Sequence, residues 1–193
     1  MHANLKALAL NHGGFCTFDY NQANQPDFPA LAAVHGAQAR PGLCGALVII
    51  WLDGFRNHRN LRAFSPYVNT DANGRLSVVM YTNQYCNAAA GWQATVTNIM
   101  NNLGFAHAAS PFPVNLANVL AATQYGILVA YNAIASHAMG VRVVGNAVFF
   151  FDPNEGEVYF SSQANFVTWM NSAIGFGARH LGAYPNYMMM QYT

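Results

Sequence analysis

The stretch Pro41-Gly42-Leu43-Cys44-Gly45-Ala46-Leu47-Val48-Ile49-Ile50-Trp51 sets one cysteine between a turn signal and an apolar run. Pro and Gly punctuate a loop. Ala46, Leu47, Ile50 and Trp51 then recur at helical spacing, which predicts a mostly buried helix from near Cys44 to about Phe55 with the thiol in its first turn. Unpaired backbone N–H groups and the positive end of the helix dipole favour an anion there, and so favour thiolate over thiol. The same residue also suits the ordinary role of a free cysteine, a small hydrophobe packed in a core. Position alone leaves both roles open.

Working outward, the composition frames what that helix can belong to. The chain has 193 residues, of which 53% are hydrophobic and 13% aromatic, enough for one domain with a sizeable core. Only 8% are charged and the formal net charge is +1, so Asn, Gln, Ser, Thr and Tyr must wet much of the surface. This is no nucleic-acid footprint. The single basic cluster, Arg56, His58, Arg59 and Arg62, reads as a solvated helix face. Cys16, Cys44 and Cys86 are odd in number and lack the paired spacings of a zinc site or a disulfide framework, so no metal or cofactor is expected and the thiols are expected to be reduced. There is no cationic segment leading into an apolar stretch that would read as a cleaved signal, and the longest apolar run is too short to span a bilayer.

Along the chain, residues 1–37 hold Asn, Gln, His and Pro with little periodicity, including Asn21-Gln22-Ala23-Asn24-Gln25-Pro26, and read as a loosely structured lead-in to a single domain over 38–193. Residues 69–75 read as a polar loop. Trp92, Val96, Ile99, Met100 and Leu103 predict a second helix stopped by Gly104, with Cys86 just ahead of it as the rival for a thiol near a helix start. A short helix is expected over about 115–123. From Tyr125 the pattern changes to four strand-like runs separated by turn residues, ending near Ser161. Ser161 or Ser162 can cap a further helix bearing Phe166, Trp169, Met170 and Ile174, and Tyr184 to Tyr192 reads as a returning strand. The fold class that follows is α+β, a helical half packed on an antiparallel sheet.

Gly145-Asn146 lies between two of the strand runs and is a two-residue hairpin signal. It pairs Val144 with Ala147, which sets Asp152 opposite Met139 and His137 opposite Asn154. His137 and Asp152 then emerge on one face as diagonal neighbours roughly 7–8 Å apart at the backbone, close enough for their side chains to meet. A carboxylate on one ring nitrogen fixes the tautomer and leaves the other nitrogen to exchange a proton with a thiol. Either residue alone would be unremarkable, the histidine at a strand start and the Asp-Pro-Asn as a turn opening. A thiol at a helix start followed by a His and an acid on one hairpin is the layout of a papain-like hydrolase.

The chain resembles the YopT/AvrPphB-like bacterial effector proteases, a branch of the papain clan. The resemblance rests on Gly42-Leu43-Cys44-Gly45-Ala46-Leu47 with Trp51 beyond, on Ser136-His137-Ala138, and on Phe150-Phe151-Asp152-Pro153-Asn154-Glu155-Gly156-Glu157 leading into Tyr159-Phe160. It spans roughly residues 38–170. It implies a papain-like fold, a Cys44-His137-Asp152 catalytic triad and hydrolysis through an acyl-thioester. The expected oxyanion donors are the backbone N–H of Cys44 and the side chain of Gln38, which lies six residues upstream, where papain-like enzymes place an amide. By the same resemblance the partner is a protein or peptide substrate such as a host signalling protein, and the chain is a secreted bacterial effector acting in the host cytosol. Three other functions share the sequence features. A glutamine deamidase or transglutaminase-type enzyme would use the same triad and release ammonia without chain cleavage. An amidase on bacterial cell-wall peptides would need a cleft open to short peptides with D-residues. An inactive papain-fold binding module would have no use for an intact triad.

Overall fold

The computed structural model describes residues 9–59, 63–89, 91–110, 120, 123–132, 136–172 and 186–193. In chain order the elements are β1 (Gly14–Asp19), α1 (Phe28–His35), α2 (Ala39–Arg56), α3 (Phe64–Thr70), α4 (Ala72–Cys86), α5 (Trp92–Asn102), β2 (His107–Ala109), β3 (Tyr125–Tyr131), β4 (Ser136–Val144), β5 (Ala147–Asp152), β6 (Gly156–Phe160), α6 (Gln163–Asn171) and β7 (Asn186–Tyr192). The seven strands form one antiparallel sheet in the order β1-β6-β5-β4-β3-β7-β2.

Alternation along the strands divides the core between the two sheet faces. Ile127, Val129, Ala138 and Phe151 face the helical layer, where Leu43, Leu47, Ile50 and Trp51 of α2 meet them. Leu128, Ala130, Met139, Val141, Phe150 and Phe160 face the other way, toward Phe166, Trp169 and Met170 of α6. Helix α2 is buried from Gly42 to Gly54. Its apolar residues run round the whole circumference, as in a helix with no wet face. Among the described residues no helix is long and apolar enough to cross a membrane.

Two close approaches seat α2 on the sheet. A Cβ on Gly140 of β4 would lie 2.6 Å from the Trp51 ring, so only glycine admits the indole there. The Trp51 N–H donates to the buried Glu157 carboxylate at 2.6 Å, and the indole stacks on Phe151 with 5.5 Å between ring centres. The β4–β5 hairpin keeps the expected register, with Val144 opposite Ala147 and Gly140 opposite Phe151. Gly145, at φ 59°, takes the first position of the turn, where a type II′ hairpin needs glycine.

Several expectations are corrected. The lead-in is not loosely structured where it is described. Strand β1 pairs with β6 as a sheet edge and α1 packs beside α2. The polar stretch at 69–75 joins two helices: Asn69 and Thr70 end α3, and the Asp71 carboxylate accepts from the N–H groups of Asn73 and Gly74 and caps α4. Cys86 consequently ends one helix, six residues ahead of the next, and does not lie at a helix start. The basic cluster is solvated where it is described, with Arg56, His58 and Arg59 exposed, though Arg56 also lies over the Phe105 ring, and Arg59 pairs with Asp53 at 3.0 Å and lies over Tyr67. Helix α5 and the Ser162 cap of α6 follow the sequence pattern, whereas the helix expected over 115–123 falls almost wholly outside the described residues, as do Arg62 and Ile174.

Gly140→Ala forces a methyl group into the Trp51 ring. It is expected to destabilise the fold by roughly 1–3 kcal/mol, read as a lower urea midpoint with an unchanged slope. An unchanged midpoint would mean that α2 is seated some other way.

Candidate active site

Helix α2 begins at Ala39, five residues earlier than the periodicity suggested, so Cys44 lies in its second turn. Pro41 is compatible with this because the early positions of a helix have no intrahelical partner for an N–H. The thiol of Cys44 is almost fully buried, at 1% exposure. It donates to the Pro41 carbonyl at 3.1 Å and accepts from the backbone N–H of Ala138 at 3.2 Å. Ala138 is a contributor that side-chain motifs could not reveal, since any residue supplies an N–H. Its signal in the sequence is only its place directly after His137.

His137 opens β4 and Asp152 closes β5. The hairpin register brings His137 Nε2 to 2.8 Å from Asp152 Oδ1, with the two residues 4% and 1% exposed. The imidazole lies close enough to Cys44 for the sulfur to add to the rise in its pKa. A helix and a hairpin more than ninety residues apart in sequence thus bring a thiol, an imidazole and a carboxylate together. Burial works against the charged imidazole, but the Asp152 carboxylate and the sulfur of Cys44 outweigh it, so the His137 pKa is raised well above its ordinary value. With Nε2 on Asp152, the other ring nitrogen is left for the thiol.

The neighbours fix this arrangement. The N–H of Asn154 donates to Asp152 Oδ1 at 2.8 Å, and the Asn154 amide nitrogen lies 3.4 Å from His137 Nε2. The Tyr85 ring packs 3.3 Å from where a Cβ on Gly45 would stand. Burial raises the Tyr85 pKa, and the nearby Cys44 sulfur adds to the effect. Gln38 is exposed in the short 3-10 turn that leads into α2, and its carbonyl accepts from the Cys86 thiol at 3.2 Å. Burial raises the Cys86 pKa, which keeps that thiol protonated. Cys16 donates to the Phe18 carbonyl in β1, on the far side of the sheet order from β3.

A family model described as "Peptidase_C58: Yersinia/Haemophilus virulence surface antigen" matches residues 87–182, a span that includes His137 and Asp152 but not Cys44. Among solved structures, the Pseudomonas avirulence protein AvrPphB aligns at a TM-score of 0.60 with 16% identity, over 78% of this chain and 91% of that one. The YopT domain of the Pasteurella multocida PfhB2 toxin aligns at 0.33 with 16% identity, over 94% of each chain. PatoxP, a cysteine protease-like domain of the Photorhabdus asymbiotica toxin PaTox, aligns at 0.39 with 12% identity, over 98% of this chain and 57% of that one. No curated protein sequence matches.

The seven-stranded antiparallel sheet with its helical layer is thus a papain-like cysteine protease fold. Within that class its fold is similar to that of AvrPphB, and its residues 87–182 match the Peptidase_C58 family model.

Because the His137 pKa is raised in the folded state, its charge stabilises the fold fully below the ordinary value of 6.5, and that contribution is lost as pH rises through the raised value. Asp152→Asn is therefore expected to lower the His137 pKa in an NMR titration. It should also reduce stability by about 3 kcal/mol near pH 6, and by less as the pH becomes alkaline. A His137 titration unmoved by Asp152→Asn would contradict the pairing.

Proposed function

We propose that the chain is a thiol protease in which Cys44, His137 and Asp152 act as a catalytic triad. The single observation that carries this reading is the 2.8 Å bond from His137 Nε2 to Asp152 beside the Cys44 thiol, whose sulfur accepts from the N–H of the residue next to His137. In the reaction the Cys44 thiolate attacks the scissile carbonyl. The His137 imidazolium protonates the departing amine, leaving an acyl-thioester, and neutral His137 then removes a proton from the water that releases the acid and restores the thiol. Asp152 stabilises the imidazolium and holds its tautomer.

The oxyanion that develops on the carbonyl needs donors. We assign the side-chain donor to Gln38, exposed in the turn ahead of α2 and six residues upstream of Cys44. The N–H of Cys44 lies within the helical ladder, so as the second donor it must be shared between the helix carbonyl and the substrate. The substrate is a protein or peptide. The likeness to virulence effectors supports a secreted bacterial protein that acts on a host signalling protein in the host cytosol.

Incubation with a eukaryotic cell lysate, followed by mapping of new protein N-termini, tests the reading. Wild type should create new termini that Cys44→Ala and His137→Ala do not, and Gln38→Ala should create them roughly a hundredfold more slowly. Ammonia release with no new termini would replace the protease with a deamidase. Neither product would leave a binding module.

A further inference from the structure

The segment ahead of the helical half makes a second connection to the site. A buried glutamine there, Gln22, is 3% exposed in the short 3-10 turn Gln22–Asn24 that Asn21 caps. Its backbone N–H donates to the Pro153 carbonyl at 2.7 Å, and its side-chain amide donates to Asn154 Oδ1 at 2.8 Å. Pro153 and Asn154 form the turn directly after Asp152. Asn154 in turn donates its backbone N–H to Asp152 Oδ1 and brings its amide nitrogen to the His137 ring. Gly156 closes the same turn at φ 111°, where a Cβ would lie 2.2 Å from the Phe18 carbonyl. The chain from Phe18 to Gln22 is therefore pressed against the Asp152 turn by backbone contact at one end and side-chain contact at the other.

Gln22 is poorly placed to serve stability alone. Its Oε1 is buried with no hydrogen-bond partner among the described residues, and a buried unsatisfied acceptor is unfavourable. An apolar side chain of the same length would avoid that penalty. What an apolar side chain cannot do is donate to Asn154. That bond holds the Asn154 side chain, and with it the backbone N–H that donates to Asp152 Oδ1, in place.

We propose that Gln22 is a positioning residue for the triad: through Asn154 it fixes the turn that orients Asp152 on His137, so the N-terminal segment is part of the catalytic apparatus. This rests on the triad reading above. Gln22 touches neither the thiol nor the ring, and acts only through Asn154.

The test is the rate of Cys44 alkylation by iodoacetamide, followed by peptide mass mapping across pH, in the full chain and in Gln22→Met, Asn154→Ala, the double variant and His137→Ala. Gln22→Met keeps the side-chain length and the backbone bond to Pro153 and removes only the amide. It should unfold at the same or a higher urea concentration, yet alkylate about fivefold more slowly, the effect of one lost hydrogen bond. The pH above which His137 loses its proton, read from the upper limb of the profile and from its NMR titration, should fall as well. The double variant should react no more slowly than Asn154→Ala alone, because the two residues act in series. A Gln22→Met profile superimposable on wild type, or effects that simply add in the double variant, would overturn the positioning role while leaving the triad intact. A Gln22→Met protein that loses stability in proportion to reactivity, with the His137 titration unmoved, would make Gln22 merely structural. Wild-type alkylation that does not depend on His137 would overturn both readings together.

Discussion

A two-residue turn fixes the geometry on which the site depends. Gly145 adopts the positive φ that a tight hairpin demands, and the register it sets runs without slip from Val144–Ala147 to Gly140–Phe151. Because side chains alternate faces along a strand, a slip of one residue would send His137 and Asp152 to opposite sides of the sheet. Held in register, the strand start and the strand end deliver an imidazole and a carboxylate to hydrogen-bonding distance. The pair is buried, and although desolvation opposes the charged imidazole, the Asp152 carboxylate and the Cys44 sulfur together raise the His137 pKa.

The thiol comes from a different layer, so its distance from that pair is a packing problem. Trp51 lies two turns beyond Cys44 on α2. It is stacked on Phe151, hydrogen-bonded to Glu157 and fitted against Gly140. Those three contacts fix how deep and at what rotation the helix sits, and Ala138 N–H reaches Cys44 Sγ as the consequence. Burial raises the Glu157 pKa, while donors from Trp51 and Thr17 favour its charged form. A carboxylate kept inside a core in this way ties helix to sheet more specifically than apolar packing alone would.

Much of this was legible in the residues. Period-two runs after Tyr125 gave the strands, and the Gly145-Asn146 pair gave the register, because both depend on local chemistry. The start of α2 was less accessible: Pro41-Gly42 reads as a loop signal, yet proline is tolerated in a helix's first turn. The polar stretch at 69–75 misled for a related reason, since Asp71 serves equally as a loop residue and as a helix cap. Most remote from sequence was the role of Asn21 to Gln25. Amide-rich segments look solvated, but here Gln22 and Gln25 are buried and bond to residues far along the chain, Asn154 and Val68. No periodicity announces such long-range amide contacts.

The most direct measurement of the central account is competitive alkylation of the three thiols by limiting iodoacetamide near neutral pH, mapped by peptide mass in wild type and His137→Ala. Cys44 is buried while Cys16 and Cys86 are partly exposed, so access alone would favour the other two. Preferential modification of Cys44, lost in His137→Ala, is the result expected of a thiolate paired with that imidazole. Modification of Cys16 and Cys86 ahead of Cys44, unchanged by the substitution, would contradict it.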